Sequence, residues 1–200
     1  LSGLGSHALR MVPTDSHHRI QLPALEAAIA ADRAAGLTPF LIVGSAGTVD
    51  VGAIDDLAAL ADIAKRERIW LHVDGAFGLW ARASRAHRAL ADGIELADSW
   101  ATDAHKWLNV PYDSGLAFTA HPAAHRAALS VSAAYLVRSA EEPREPMDWT
   151  PESSRRARGF TVYAALQELG RTGVEAMIDR CCRLAGSFAD QLRTEPRLRI

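Results

Sequence analysis

Two segments of the chain carry residue types whose spacing could do chemistry: His72-Val73-Asp74-Gly75-Ala76, and further on Asp103-Ala104-His105-Lys106-Trp107. A lysine amine can condense with a carbonyl group, and a carboxylate can keep the pyridine nitrogen of the same molecule protonated. Those are the two requirements of pyridoxal phosphate, and both groups must sit on rigid elements at one rim of a sheet. Asp74 and Lys106 meet that description.

The elements that would position them are legible nearby. Residues 69–73 form a short β-branched and aromatic run after the charged stretch Lys65-Arg66-Glu67-Arg68, the pattern of a buried strand following a helix. Asp74 then falls at the strand's carboxyl end, where open α/β sheets bind ligands. A carboxylate there stays ionised only if paired or solvated, and a pyridinium would pair it. Gly75 and Ala76 are small enough for a flat ring to approach, with the ring lying against Ala76. His105 is placed to tune the neighbouring amine. Each residue also has an ordinary reading: a Lys beside a His is commonly a solvated surface pair, and Asp74 could simply cap a helix that follows it.

Along the chain, helical and strand patterns alternate. Strands are expected at 8–12, 39–44, 69–73, 97–102 and 114–119, and helices at 22–35, 54–66, 81–91 and 122–130. Two more helices, 153–169 and 173–192, are separated by Gly170. Strand, loop and helix in that order favour an α/β fold with a mainly parallel sheet flanked by helices. Residues 137–151, with Glu141-Glu142-Pro143-Arg144-Glu145-Pro146, are the most loop-like stretch and a candidate lid.

Composition narrows the function classes. At 200 residues, 48% hydrophobic and 23% charged, the chain can bury a sizeable core. A formal charge of −2 without a basic, aromatic-studded cluster argues against a nucleic-acid partner. No run is long enough to span a bilayer and the first residues lack a signal-peptide pattern, so the expectation is a cytoplasmic protein. Adjacent Cys181 and Cys182 fit neither a disulfide framework nor a metal pair and read as half-buried thiols.

From about residue 45 to residue 158 the chain resembles the group II pyridoxal-phosphate decarboxylases, with aromatic amino acid, glutamate and histidine-type members. The match is carried by His72, Asp74, Ala76, His105 and Lys106, and by Ala46-Gly47-Thr48 and Gly52-Ala53-Ile54-Asp55 upstream. The resemblance implies a fold type I, PLP-dependent transferase-like large domain, incomplete at both ends. Residues 1–170 would belong to that domain and 171–200 would open a small carboxyl-terminal one. It implies that Lys106 forms the Schiff base, Asp74 binds the pyridine nitrogen, Ala76 packs on the ring, and His105 and Thr48 lie beside the cofactor. The reaction implied is loss of the α-carboxylate of an L-amino acid to give the amine, in a homodimer, with an isolated piece inactive.

Three departures from the family pattern qualify this. Asp103 stands where an asparagine often serves the phosphate, and its charge would repel that group unless turned away. Val49 replaces a frequent threonine, and Arg138 to Asp148 contain no tyrosine to return a proton, although Tyr135 lies just before. The alternatives are another reaction at the α-carbon, such as transamination, a His72/Asp74/His105 metal site, or a non-catalytic interaction protein. Arg155, Arg156 and Arg158 could anchor anionic groups or form a solvated face.

Overall fold

The computed structural model describes residues 5–130, 145–152 and 154–199. Its frame is a four-stranded sheet ordered β1 (Leu41–Ser45), β2 (Trp70–Asp74), β3 (Ser99–Asp103) and β4 (Gly115–Thr119). The first three strands are parallel, and β4 is antiparallel to β3. The expected α/β class with a mainly parallel sheet is what forms. The reversal at β4 follows from its connection: loop 104–114 contains no crossover helix, so the next strand returns alongside in the opposite sense.

Alternation along the strands decides which face is covered. Ile42, Leu71 and Val73 point to one face and are buried, whereas Leu41 and Val43 point to the other and are exposed. Helix α2 (Leu57–Glu67) covers the buried face with Leu57, Leu60, Ala61 and Ala64 at helical spacing. Its first turn is capped by Asp56, whose side chain accepts the Ala59 N–H at 3.0 Å. Helix α1 (Leu22–Ala34) adds Leu25 and Ile29 to the same core. Each fully buried leucine of this kind stabilises the fold by roughly 1.5–3 kcal/mol.

A second, smaller core forms elsewhere. After α3 (Pro122–Leu129), the long helix α4 (Arg158–Leu192) lays Val162, Val174 and Ile178 against Ala104, Leu108 and Val110. The loop that follows β3 is therefore seated on α4. Helical geometry in α4 breaks at Gly170 (φ 58°, ψ −178°), where the apolar spacing predicts that one helix ends and another begins.

Three expectations change. The strand expected at 8–12 does not form: a 3-10 turn, Ser6–Ala8, is followed by chain whose Leu9 and Met11 are both exposed, while Val12 packs against the main core. The helix expected at 81–91 is replaced by two 3-10 turns, Leu79–Ala83 and Arg88–Ala91, with a third, Ile94–Leu96, just beyond. Ser84 is the reason. Its Oγ accepts from the Ala86 and His87 N–H groups at 3.1 and 3.3 Å, capturing donors that a continuing helix would need. The candidate lid at 137–151 lies largely outside the described residues, as does Tyr135; its described end holds a 3-10 turn, Pro146–Asp148.

Candidate active site

The register Ser45↔Asp74↔Ala101 brings the carboxyl ends of β1, β2 and β3 to one rim. Three loops leave from it, and the rim and its loops carry the residues expected to hold the cofactor: Thr48 after β1, Asp74 and Ala76 at the end of β2, Asp103, His105 and Lys106 at the end of β3. The first two loops interlock. The Gly78 N–H donates to the Ala46 carbonyl at 2.9 Å, and a Cβ on Gly47 or Gly78 would stand 2.6 Å from the opposing backbone. Only glycine permits that approach. Buried Asp55 anchors the first loop from behind, one carboxylate oxygen accepting the Ser45 N–H at 2.8 Å and the other the Ile20 N–H at 2.7 Å. The Thr48 hydroxyl accepts the Ala53 N–H at 3.1 Å and keeps its own proton to donate.

Asp74 is exposed. Its Oδ1 accepts the Ala76 N–H at 3.0 Å, so the ordinary local turn is present, while Oδ2 has no hydrogen-bond partner among the described residues. Gly75 has a further use. A Cβ there would meet Leu79 at 2.6 Å and the Ala101 carbonyl at 2.9 Å, so its smallness also serves packing against Leu79 and β3. Two residues earlier, His72 Nδ1 and Trp70 Nε1 each lie 2.8 Å from Ser99 Oγ. Burial holds His72 below the ordinary imidazole range, and the nearby Asp74 charge offsets part of that.

Lys106 is held on two sides. Its Nζ lies 2.7 Å from Asp103 Oδ2 and 3.8 Å from the centre of the Phe77 ring. It opens on a cleft of about 500 Å³ whose walls include Gly47, Thr48, Phe77, Trp107 and Cys182. Asp74, Ala76 and His105 share the rim with this cleft but do not line it. Burial pushes the Cys182 thiol up, beyond the ordinary range. The chain contains only two lysines, Lys65 being the other.

His105 faces away from the cleft. Its Nδ1 lies 2.9 Å from the Ser114 nitrogen and 3.0 Å from the Ser114 carbonyl oxygen, and its Nε2 lies 3.8 Å from Asp103 Oδ2. The ring packs on Tyr112 with centroids 3.9 Å apart. The arginines of the α4 entrance are engaged structurally: Arg156 and Arg158 both pair with Asp113 Oδ1, at 3.1 and 2.8 Å. The Arg158 guanidinium holds the Asp113 carboxyl below the usual carboxylate range. Arg155 is exposed. No group of three metal-ligating side chains forms among the described residues, His72, Asp74 and His105 included.

Sequence reasoning passes over Phe77 and understates Asp55. An aromatic after two small residues carries no signal of a cation resting on it. Asp55 shows only as one member of a loop motif, and its burial becomes evident when the chain returns to it from Ile20.

The whole of this arrangement has relatives. Residues 2–200 match the model of the pyridoxal-dependent decarboxylase conserved domain. The chain is 36% identical to an aspartate 1-decarboxylase of Aliivibrio fischeri, covering 98% of this chain and 37% of that protein. Against an aromatic-L-amino-acid decarboxylase of Bacillus atrophaeus it is 33% identical over 92% of this chain and 39% of the relative. The solved structure of Oryza sativa TDC with PLP and tryptamine superposes with a TM-score of 0.89 at 28% identity, over 98% of this chain and 41% of that one. The chain thus spans about two fifths of the length of these relatives. From the rim that gathers Asp74 and Lys106 to the helix that supports it, this chain belongs to the pyridoxal-dependent decarboxylase family.

Proposed function

We propose that this chain holds pyridoxal phosphate through Lys106 and takes part in decarboxylating an L-amino acid to its amine. The observation that carries the reading is the rim itself: an amine opening on a cleft and a carboxylate with an unbonded oxygen leave adjacent parallel strands, Asp74↔Ala101 fixing their register. The donor set fits the cofactor. Lys106 Nζ would be the attachment point, Asp74 Oδ2 at the rim would accept the pyridinium N–H, Ala76 would lie against the ring, and Thr48 would donate its hydroxyl proton. Bound there, the cofactor draws electrons from the substrate's α-carbon so that the bond to the carboxylate can break. The protein's part is to orient that bond and to keep the ring nitrogen protonated through Asp74.

Asp103 is paired with Lys106 in this structure, at 2.7 Å. The break of α4 at Gly170 supports a boundary between a large cofactor-binding domain, residues 1–170, and a small domain opening at 171–200. A homodimer in the cytoplasm completes the proposal. No helix among the described residues is long and apolar enough to cross a membrane.

The test uses the protein purified in its natural form. Pyridoxal phosphate is added, the linkage is reduced with borohydride, and the two lysine peptides are weighed. Attachment at Lys106 with amine release from an L-amino acid panel is the expected result. Attachment with a keto acid would keep the cofactor and replace the reaction by transamination. Attachment at neither lysine would overturn the reading.

A further inference from the structure

The clamp on Lys106 is built from backbone-fixed parts. Asp103 ends β3 opposite Gly115, and its carbonyl accepts the Trp80 Nε1–H at 3.2 Å. Phe77 belongs to the interlocked second loop, between Gly75, whose N–H donates to the Ala101 carbonyl at 2.8 Å, and Gly78. The side chains of Lys106 and Asp103 are 24% and 25% exposed, so the pair is sheltered without being sealed. An aromatic face and a carboxylate thus hold the same nitrogen from two sides.

We propose that Asp103 is a positioning residue that, with Phe77, parks Lys106 Nζ and withholds it from carbonyl compounds until one enters the cleft. The inference rests on Lys106 being the reactive lysine of the proposed function, and it concerns how that lysine is released. An ammonium has no lone pair to attack with. Reaction requires the contact to Asp103 to break and one proton to pass to solvent buffer. The nitrogen then bonds to the carbonyl carbon, and the carbonyl oxygen leaves as water.

Formaldehyde with cyanoborohydride reports this step without the cofactor: the carbon–nitrogen double bond that forms is reduced by hydride to a methylamine. With only two lysines in the chain, exposed Lys65 serves as the internal reference and mass mapping gives the Lys106 to Lys65 rate ratio. Asp103→Asn is expected to raise that ratio about fivefold, the equivalent of losing one ion pair at the upper end of the surface range. Phe77→Leu is expected to raise it about twofold. Asp103→Glu, which keeps a carboxylate, should stay close to the wild-type ratio. Should Asp103→Asn fail to fold by circular dichroism, Phe77→Leu and Asp103→Glu decide.

An unchanged or lowered ratio in folded Asp103→Asn, or no rise in Phe77→Leu, would overturn the clamp. The failure of the proposed function looks different, because pyridoxal phosphate would then attach to neither lysine whatever the methylation ratio shows.

Discussion

The two halves of the candidate site are held by different parts of the molecule. Asp74 closes a central strand, flanked on both sides by parallel ladders and backed by Leu60, Leu71 and Val73, all contributed by chain between β1 and β3. Lys106 sits one loop beyond its strand, and its support comes from far along the sequence, where Val174 and Ile178 of α4 bed Ala104, Leu108 and Val110. Ser84 adds a tie, its Oγ donating to Asp179 of α4 at 2.5 Å, and the Arg85 N–H reaches Glu175 at 3.1 Å. A carboxylate set by a ladder and an amine set by side-chain packing need not fail together.

The largest effect should come from emptying the second core. Ile178 is fully buried there, and Ile178→Ala is expected to cost about 3 kcal/mol, within the range for large-to-small core changes. Amide exchange of residues 104–110 should accelerate well before that of 71–75. Leu71→Ala, also fully buried but in the sheet core, should lose a similar amount of stability with the opposite order of exchange. Urea unfolding gives the energies and peptide-resolved hydrogen exchange gives the order. Identical exchange patterns in the two variants would remove the distinction between the halves.

A smaller effect is expected on the Asp74 side from Asp55→Ala. Two backbone donors, Ile20 N–H and Ser45 N–H, lose their acceptor in a buried setting, at a cost of about 2 kcal/mol. Loop 46–48 should loosen while the Lys106 to Lys65 methylation ratio stays near wild type. A ratio that rose as far as expected for Asp103→Asn would mean that the first loop also supports the lysine.

The same division explains what the sequence reveals and what it conceals. Strands β1 to β3 and helices α1 and α2 are built from contiguous apolar patterns, so periodicity finds them, and with them the rim and the placement of Asp74. The support of Lys106 is contributed across a long sequence separation, and no local pattern announces that Ile178 lies under Leu108. The helix expected at 81–91 fails for a related reason. Its apolar spacing is adequate, but Ser84 turns its hydroxyl toward Asp179 and takes two helical donors in the process. Asp103 was legible as a departure from its family's pattern, whereas its partner was not, because a three-residue spacing beyond a strand does not fix where a lysine points. Gly75 is similar: no local pattern announces that Leu79 and the Ala101 carbonyl stand where a side chain at that position would lie.

The smallest effect concerns pH on the Asp74 side. Burial lowers His72 from its ordinary value of 6.5, against a partial upward pull from Asp74. The unfolded chain therefore takes up a proton near pH 6.5 that the folded chain still refuses. Stability should be flat in pH above that point for this group, and should decline as pH falls below it until the folded imidazole also protonates. Urea midpoints measured on either side of 6.5 should show this slope in the wild type and a shallower one in His72→Gln. Because the imidazole is only half-buried, the change is modest, and it should leave amide exchange at 104–110 untouched while raising it at 71–75. A pH-dependent loosening that began in the lysine loop instead would assign the titration to another group and make the two halves of the rim less independent than their separate supports require.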